Sequence, residues 1–166
     1  MLLDRIETPA ELITYKLGAA LTMEKTVLKM LGDLEEEAQH DELKRLFRHH
    51  AGETQEQIAN IGRAFAALDE EPDDKPCPAI KGLDLEAKAN IKLTKGRLVD
   101  DVILGGAAET EHHEIAVYEE LITFAETMGK QDVAGFLQQN LGQEQHALEE
   151  VQRATRMIAE ETLQAA

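Results

Sequence analysis

Carboxylates interrupt the apolar stripes of the helices that this sequence predicts, and inward carboxylates are residues able to bind metal ions. At about 100° per residue, Glu24, Glu114 and Glu144 each fall within about 20° of the centre of a stripe. Glu111 lies about 40° from the stripe centre that Glu114 occupies. A single glutamate placed inward by such a projection is most often a surface residue. The prediction therefore rests on several helices showing the same feature.

The second predicted helix offers a histidine and a carboxylate. His50 lies on its apolar stripe, whereas Glu53 lies on the flank, about 70–80° from the centre. Glu24 and Glu53 are 29 residues apart, and Glu114 and Glu144 are 30 apart. In antiparallel hairpins such spacings place both members at a similar height. Five carboxylates are therefore predicted to converge at one level: Glu24, Glu53, Glu111, Glu114 and Glu144. His50 completes the predicted set of metal ligands.

Five carboxylates in an apolar interior require compensating positive charge. Burial disfavours each ionised carboxylate, and repulsion between like charges adds to that cost. Two divalent cations would bring four positive charges to the five negative ones. Carboxylate oxygens with an imidazole suit iron or manganese, and Glu111 and Glu114, three residues apart on one helix face, can chelate or bridge. The predicted cofactor is two divalent metal ions, with iron preferred and manganese as the alternative.

Four long helices are predicted to hold these side chains. The segment Thr8–Glu11 is a capping box that opens the first helix, which should end near Gln39. Asp41 is predicted to cap the second helix. Apolar periodicity predicts the third helix over residues 97–128 and the fourth over 131–162.

A proline- and acid-rich segment separates the two helical hairpins. Residues 69–82 are the predicted crossover loop, because Asp69–Pro78 contains three prolines and five acids. A short helical turn is expected around Leu83–Ile91. Short turns within each hairpin make its helices antiparallel. A four-helix bundle with one long crossover is the ferritin-like arrangement, so we predict an all-α, single ferritin-like domain over residues 1–166.

Composition excludes several classes of partner and fold. The 166 residues include 17 basic and 33 acidic side chains, a net charge of −16, which disfavours nucleic acid and anionic membranes. The aromatic content of 4%, with no tryptophan, argues against a β-sandwich or barrel. The single Cys77 cannot form a disulfide within one chain. Because no signal peptide or membrane span is recognisable either, a cytoplasmic location is predicted.

Several sequence blocks resemble the YciE/YciF family of bacterial stress proteins. They are Ala19–Lys25 (AALTMEK), His50–Ile58 (HAGETQEQI), Glu111–Tyr118 (EHHEIAVY) and Leu141–Glu144 (LGQE). The resemblance covers nearly the whole chain, including the proline-rich crossover. It implies a fold related to rubrerythrins and bacterioferritins, which carry dinuclear iron, and a small homodimer linked to stress responses.

The sequence departs from the wider di-iron superfamily at two positions. That superfamily typically shows Glu-x-x-His on its second and fourth helices, whereas Glu56 and Ala147 follow Glu53 and Glu144 here. His50, three residues before Glu53, is the candidate replacement on the second helix. The absence of these two histidines argues against efficient oxygen activation more than it argues against metal binding.

Two kinds of function remain open. The preferred one is a dinuclear metal protein of a stress response that acts on peroxide or oxygen. The alternative is a metal-binding or structural dimeric bundle without turnover. Tyr118 is interpreted as core packing, with a hydrogen bond to a ligand carboxylate as the alternative. His112, His113 and His146 are predicted to face away from the core, and Cys77 to be a passive thiol.

Overall fold

The computed structural model describes residues 5–165, which form five α-helices and contain no strand. They are α1 (Pro9–Glu37), α2 (Asp41–Ala67), α3 (Pro78–Leu93), α4 (Leu98–Thr127) and α5 (Gln131–Gln164). The all-α prediction is confirmed. Residues 1–4 and 166 of the predicted single domain lie outside the described residues. Residues 1–4 make up most of the N-terminal segment in which no signal peptide was recognised.

The start of α1 is fixed by the predicted capping box. The Glu11 amide donates to Thr8 Oγ1 at 3.2 Å, and the Thr8 amide donates to Glu11 Oε2 at 3.0 Å. The amides of Glu7 and Thr8, which both donate to the Glu11 carboxylate, lower the pKa of that carboxyl. The helix ends at Glu37, two residues before the predicted end at Gln39.

The start of α2 differs from the prediction. Asp41 is the first helical residue, and the N-cap is His40, whose side chain makes no capping hydrogen bond. The buried carboxylate of Asp100, from α4, accepts instead from the amides of Gln39 at 2.8 Å and His40 at 3.0 Å. A residue distant in sequence therefore accepts the hydrogen bonds of the backbone amides in the turn between α1 and α2.

The crossover contains a full helix rather than a short turn. α3 begins with Pro78 at its first position, where the missing amide hydrogen costs nothing, and continues for 16 residues. The predicted loop over 69–82 therefore ends five residues early. The segment before α3 lies against α1, where the Lys75 amide donates to the Gly18 carbonyl at 3.0 Å. A side chain at Gly18 would collide with this segment.

The four long helices enclose the core. α1 packs against α2, α4 packs against α5, and α2 also packs along α5, while α3 covers α4 and α1. Fully buried apolar side chains fill the interior above and below its mid-length; the largest include Ile13, Leu17, Phe47, Phe65, Leu104 and Leu121. Each such side chain contributes about 1.5–3 kcal/mol through burial. Among residues 5–165, no helix has both the length and the apolar character needed to cross a membrane.

Candidate metal centre

The middle of the bundle contains the residues that the sequence predicted to converge. Glu24 of α1, Glu114 of α4 and Glu144 of α5 are completely buried. Glu111 is 2% exposed and His50 of α2 is 3% exposed. The sixth predicted residue, Glu53, is partly accessible, with 17% of its side chain exposed.

His50 lies close to three of these carboxylates. Its Nε2 lies 3.2 Å from Glu111 Oε1 and 3.5 Å from Glu144 Oε2. Its Nδ1 lies 3.1 Å from Glu53 Oε2. One ligand atom from each of four residues falls within 4.8 Å of all the others, and these residues are His50, Glu111, Glu114 and Glu144.

Many of the buried polar atoms here have no hydrogen-bond partner. They include both carboxylate oxygens of Glu114 and of Glu144, one oxygen of Glu24 and of Glu111, and Nε2 of His50, whose approaches to the carboxylates lack hydrogen-bond geometry. Leaving one buried polar atom unsatisfied costs about 1–3 kcal/mol. These atoms are also the oxygen and imidazole donors that iron and manganese accept. The residues present therefore fit a bound metal ion.

Burial and mutual repulsion perturb the protonation of these groups. Burial raises the pKa of the Glu24 carboxyl to about 7. The pKa values of Glu114 and Glu144 are raised well above the ordinary range, first by burial and then by the neighbouring acids. Burial opposes the charged form of His50, but the carboxylates of Glu111 and Glu53 outweigh it and raise its pKa. Without cations, the centre therefore retains protons.

Glu24 is tied to a buried polar chain that begins at Tyr118. The Tyr118 hydroxyl donates to Glu24 Oε1, and the hydroxyl accepts from Asn140 Nδ2 at 3.1 Å. Asn60 Nδ2 donates to Asn140 Oδ1 at 2.8 Å. The interpretation of Tyr118 as packing alone is therefore wrong, because its hydroxyl orients a carboxylate of the centre.

Neither asparagine of this hydrogen-bonded chain was predicted from the sequence. Asn140 lies between Leu137 and Glu144 on the inward stripe of α5, and Asn60 lies beside Ile61 on α2. A polar residue on an apolar stripe was the signal used to find the glutamates. The same criterion applied to amides would have identified Asn140.

The histidines that were predicted to face away from the core do so. His112 and His146 are exposed, and His113 is half-buried at the surface of α4. The His113 Nε2 atom lies 3.9 Å from Cys77 Sγ, where α3 begins. Burial lowers the pKa of His113.

Fold and site together define an all-α bundle of the ferritin type, with carboxylates and one histidine buried at mid-length. The chain belongs to the family described as Domain of unknown function (DUF892), whose model matches residues 8–164. Protein YciF of Escherichia coli K12 is 29% identical over 144 residues, which cover 84% of this chain and 85% of YciF. The predicted resemblance to YciF is confirmed.

Three solved structures also match this chain over more than nine-tenths of its length. The crystal structure of the E. coli stress protein YciF matches with a TM-score of 0.89 and 25% identity, over 93% of this chain and 99% of that one. YcfI from Rhodopseudomonas palustris matches with a TM-score of 0.88 and 31% identity, over 92% and 98%. A protein from Xanthomonas campestris pv. campestris matches with a TM-score of 0.73 and 27% identity, over 95% and 97%.

Proposed function

We propose that this protein binds two divalent ions, of iron or manganese, at the buried centre and uses them against peroxide or oxygen in a stress response. The observation that carries the proposal is the set of buried, unpartnered donor atoms on Glu111, Glu114, Glu144 and His50. An acidic cluster of this kind is costly unless cations occupy it. The description of the E. coli relative as a stress protein supports the physiological setting.

Some of the six side chains would bind the ions, and Glu53 would orient one of those ligands. Glu111, Glu114 and Glu144 present oxygens from two helices, and His50 presents Nε2 from a third. Since a carboxylate only accepts hydrogen bonds, Glu53 holds the hydrogen on His50 Nδ1 and so directs the Nε2 lone pair into the centre. The hydroxyl of Tyr118 holds Glu24 in the same way.

Bound iron or manganese would supply one-electron redox chemistry toward peroxide or oxygen. The chain contributes a dry environment, because the carboxylates of α1, α4 and α5 are sealed from solvent by packed apolar side chains. It also contributes protons, since Glu24, Glu114 and Glu144 retain theirs until cations displace them.

Metal binding without turnover is the second candidate function. Neither Glu53 nor Glu144 is followed three residues later by a histidine, since Glu56 is exposed and position 147 is a buried alanine. The centre therefore has five carboxylates and one imidazole. The description of YcfI as a candidate structural protein favours the same alternative. The homodimer, the small oxidant and the cytoplasmic location remain predictions.

Elemental analysis of natively expressed protein tests the site. Wild type should contain iron or manganese, and Glu114→Gln should lose most of it. Glu119→Gln is the matched control, because Glu119 is an exposed glutamate on the same helix. Equal metal content in wild type and Glu114→Gln would overturn the site. Iron-loaded wild type that peroxide and oxygen leave ferrous would overturn the redox function and leave metal binding.

A further inference from the structure

A chain of hydrogen bonds runs from the surface of α2 to Glu24 in the buried centre. At its outer end the guanidinium of the exposed Arg63 donates to Asn60 Oδ1 at 2.5 Å. At its inner end the Tyr118 hydroxyl donates to Glu24 Oε1. Asn60, which is 4% exposed, and the fully buried Asn140 connect the two ends. The chain therefore takes a side chain from each of the four long helices α2, α5, α4 and α1 in turn.

Groups that can act in only one way fix the direction of these bonds. A guanidinium only donates, so Asn60 turns its oxygen toward Arg63 and its Nδ2 toward Asn140 Oδ1, which lies 2.8 Å away. A backbone carbonyl only accepts, so Asn140 turns Nδ2 toward the Gln57 carbonyl at 3.2 Å. The reverse orientation of Asn140 would set its oxygen against that carbonyl and its Nδ2 against Nδ2 of Asn60. Both contacts therefore impose the same orientation on Asn140.

The orientation of Asn140 decides where the hydroxyl hydrogen of Tyr118 goes. Asn140 Nδ2 also donates to the Tyr118 hydroxyl oxygen at 3.1 Å. Since the hydroxyl accepts there, its own hydrogen is left for Glu24 Oε1. Within the described part of the chain, Oε2 of the same carboxylate has no hydrogen-bond partner. The two oxygens of Glu24 are therefore unequal, because one is occupied by a hydroxyl and the other is left for a different partner.

We propose that Asn60 and Asn140 are positioning residues of the metal centre. By holding the Tyr118 hydroxyl on Oε1 of Glu24, they leave Oε2 as the one atom through which that carboxylate binds metal. A carboxylate that binds through one oxygen takes one coordination position, whereas a chelating one takes two. The chain therefore leaves a coordination position open for a small ligand. This inference rests on the proposed function for its metal, whereas the hydrogen bonds themselves do not.

Asn60→Asp tests the chain from a distance, because the hydrogen bonds of Asn60 reach neither Tyr118 nor Glu24 directly. The new carboxylate accepts from Arg63 but cannot donate to Asn140 Oδ1. We expect Asn140 to reverse, so that its Nδ2 donates to the new carboxylate. Its Oδ1 would then accept the Tyr118 hydrogen in place of Glu24.

The first measurement needs no metal. With Tyr15→Phe, Tyr118 is the one tyrosine of a chain without tryptophan, so near-UV absorption reports it alone. In the presence of a chelator, and above the Glu24 pKa of about 7, the wild-type hydroxyl donates to a carboxylate, which moves tyrosine absorption to longer wavelength. We expect Asn60→Asp to move the band to shorter wavelength. Asn90→Asp is the matched control, because Asn90 is an exposed asparagine on α3. An unmoved band in folded Asn60→Asp would overturn the proposal.

The second measurement uses Co²⁺, whose visible absorption weakens as its coordination number rises. At saturation, Tyr118→Phe frees Glu24 Oε1 to chelate, so we expect lower molar absorption. Asn60→Asp should lower it by the same amount, and the double variant should lower it no further, since both changes release one oxygen. A loss of stability alone would not change the spectrum of folded, saturated protein. A spectrum unchanged by Asn60→Asp, or additive losses in the double variant, would overturn the proposal.

Failure of the proposed function gives a different result. If Glu114→Gln binds as much Co²⁺ as wild type, the buried centre is not the metal site, and the band position of Tyr118 still tests the chain. Arg63→Glu replaces Asn60→Asp if circular dichroism shows that the latter is unfolded. This exposed substitution turns the outer donor into an acceptor, so Asn60 and then the next amide should reverse. The same two spectral shifts are expected, and their absence would overturn the proposal.

Discussion

Metal-free protein should lose stability as the pH rises from about 4.5 to about 7, which is opposite to the usual behaviour of surface carboxylates. Burial raises the pKa of Glu24 from 4.5 to about 7 in the folded chain. Within that window the unfolded chain has released a proton that the folded chain still holds, so rising pH favours unfolding. A span of about 2.5 pH units at about 1.36 kcal/mol each gives a loss of about 3 kcal/mol.

The other buried groups act in the same direction. The raised pKa values of Glu114, Glu144 and His50 also give the folded chain more bound protons than the unfolded chain. The Glu24 share of about 3 kcal/mol is already a large fraction of the roughly 5–15 kcal/mol that stabilises an ordinary domain. Bound cations reverse the effect, because ligand carboxyls must release their protons to bind them.

Urea unfolding followed by circular dichroism, in the presence of a chelator, measures this slope. Glu24→Gln removes one titrating carboxyl but keeps an oxygen for the Tyr118 hydroxyl, so its stability should fall less between the two pH values. Protein loaded with Mn²⁺ should instead gain stability as the pH rises. Metal-free wild type that is equally stable at both pH values would show that these carboxyls do not retain protons, and would refute the electrostatic reasoning.

Three further features can be tested by single substitutions and urea unfolding. Tyr118→Phe removes the hydroxyl that donates to Glu24 and should cost about 1–3 kcal/mol; no loss would contradict the role of that bond. Gly18→Ala places a Cβ against the crossover backbone and should cost about 1–3 kcal/mol, whereas Gly32→Ala meets no atom within 4 Å and should gain about 0.5–1 kcal/mol. Asp100→Ala leaves two turn amides without an acceptor and should cost about 1–3 kcal/mol; unchanged stability would exclude it as the anchor of that turn.

The buried positions of the glutamates could be predicted because helix geometry is local and regular. Every residue advances about 1.5 Å along the axis, so the spacings of 29 and 30 residues around two short turns place Glu24 level with Glu53 and Glu114 level with Glu144. The inward direction of Glu24, Glu114 and Glu144 follows from the angular step alone. All three are completely buried, as the projections predicted.

Features that depend on partners from other elements could not be predicted in this way. α3 was underestimated because Ile80 is its one buried residue, which leaves almost no apolar stripe to detect. The cap of α2 was misassigned because Asp100, from a helix 60 residues away in sequence, accepts the turn amides. The projection placed Tyr118 inward correctly but carries no information about what its hydroxyl meets.

The centre has His50 in place of the two histidines of the Glu-x-x-His pattern, and this difference changes its chemistry as well as its sequence pattern. Ala147 is buried on α5, where the Glu-x-x-His pattern has a histidine, and the histidine of the centre comes instead from α2, as His50. Relative to a Glu-x-x-His pattern on both helices, the centre gains negative charge and loses nitrogen donors. Oxygen-rich sites shift the preference toward harder ions such as Mn²⁺, and added negative charge stabilises the higher oxidation state of a bound metal. The added charge would make re-reduction of a bound metal harder, so these departures weaken the case for rapid turnover more than the case for metal binding.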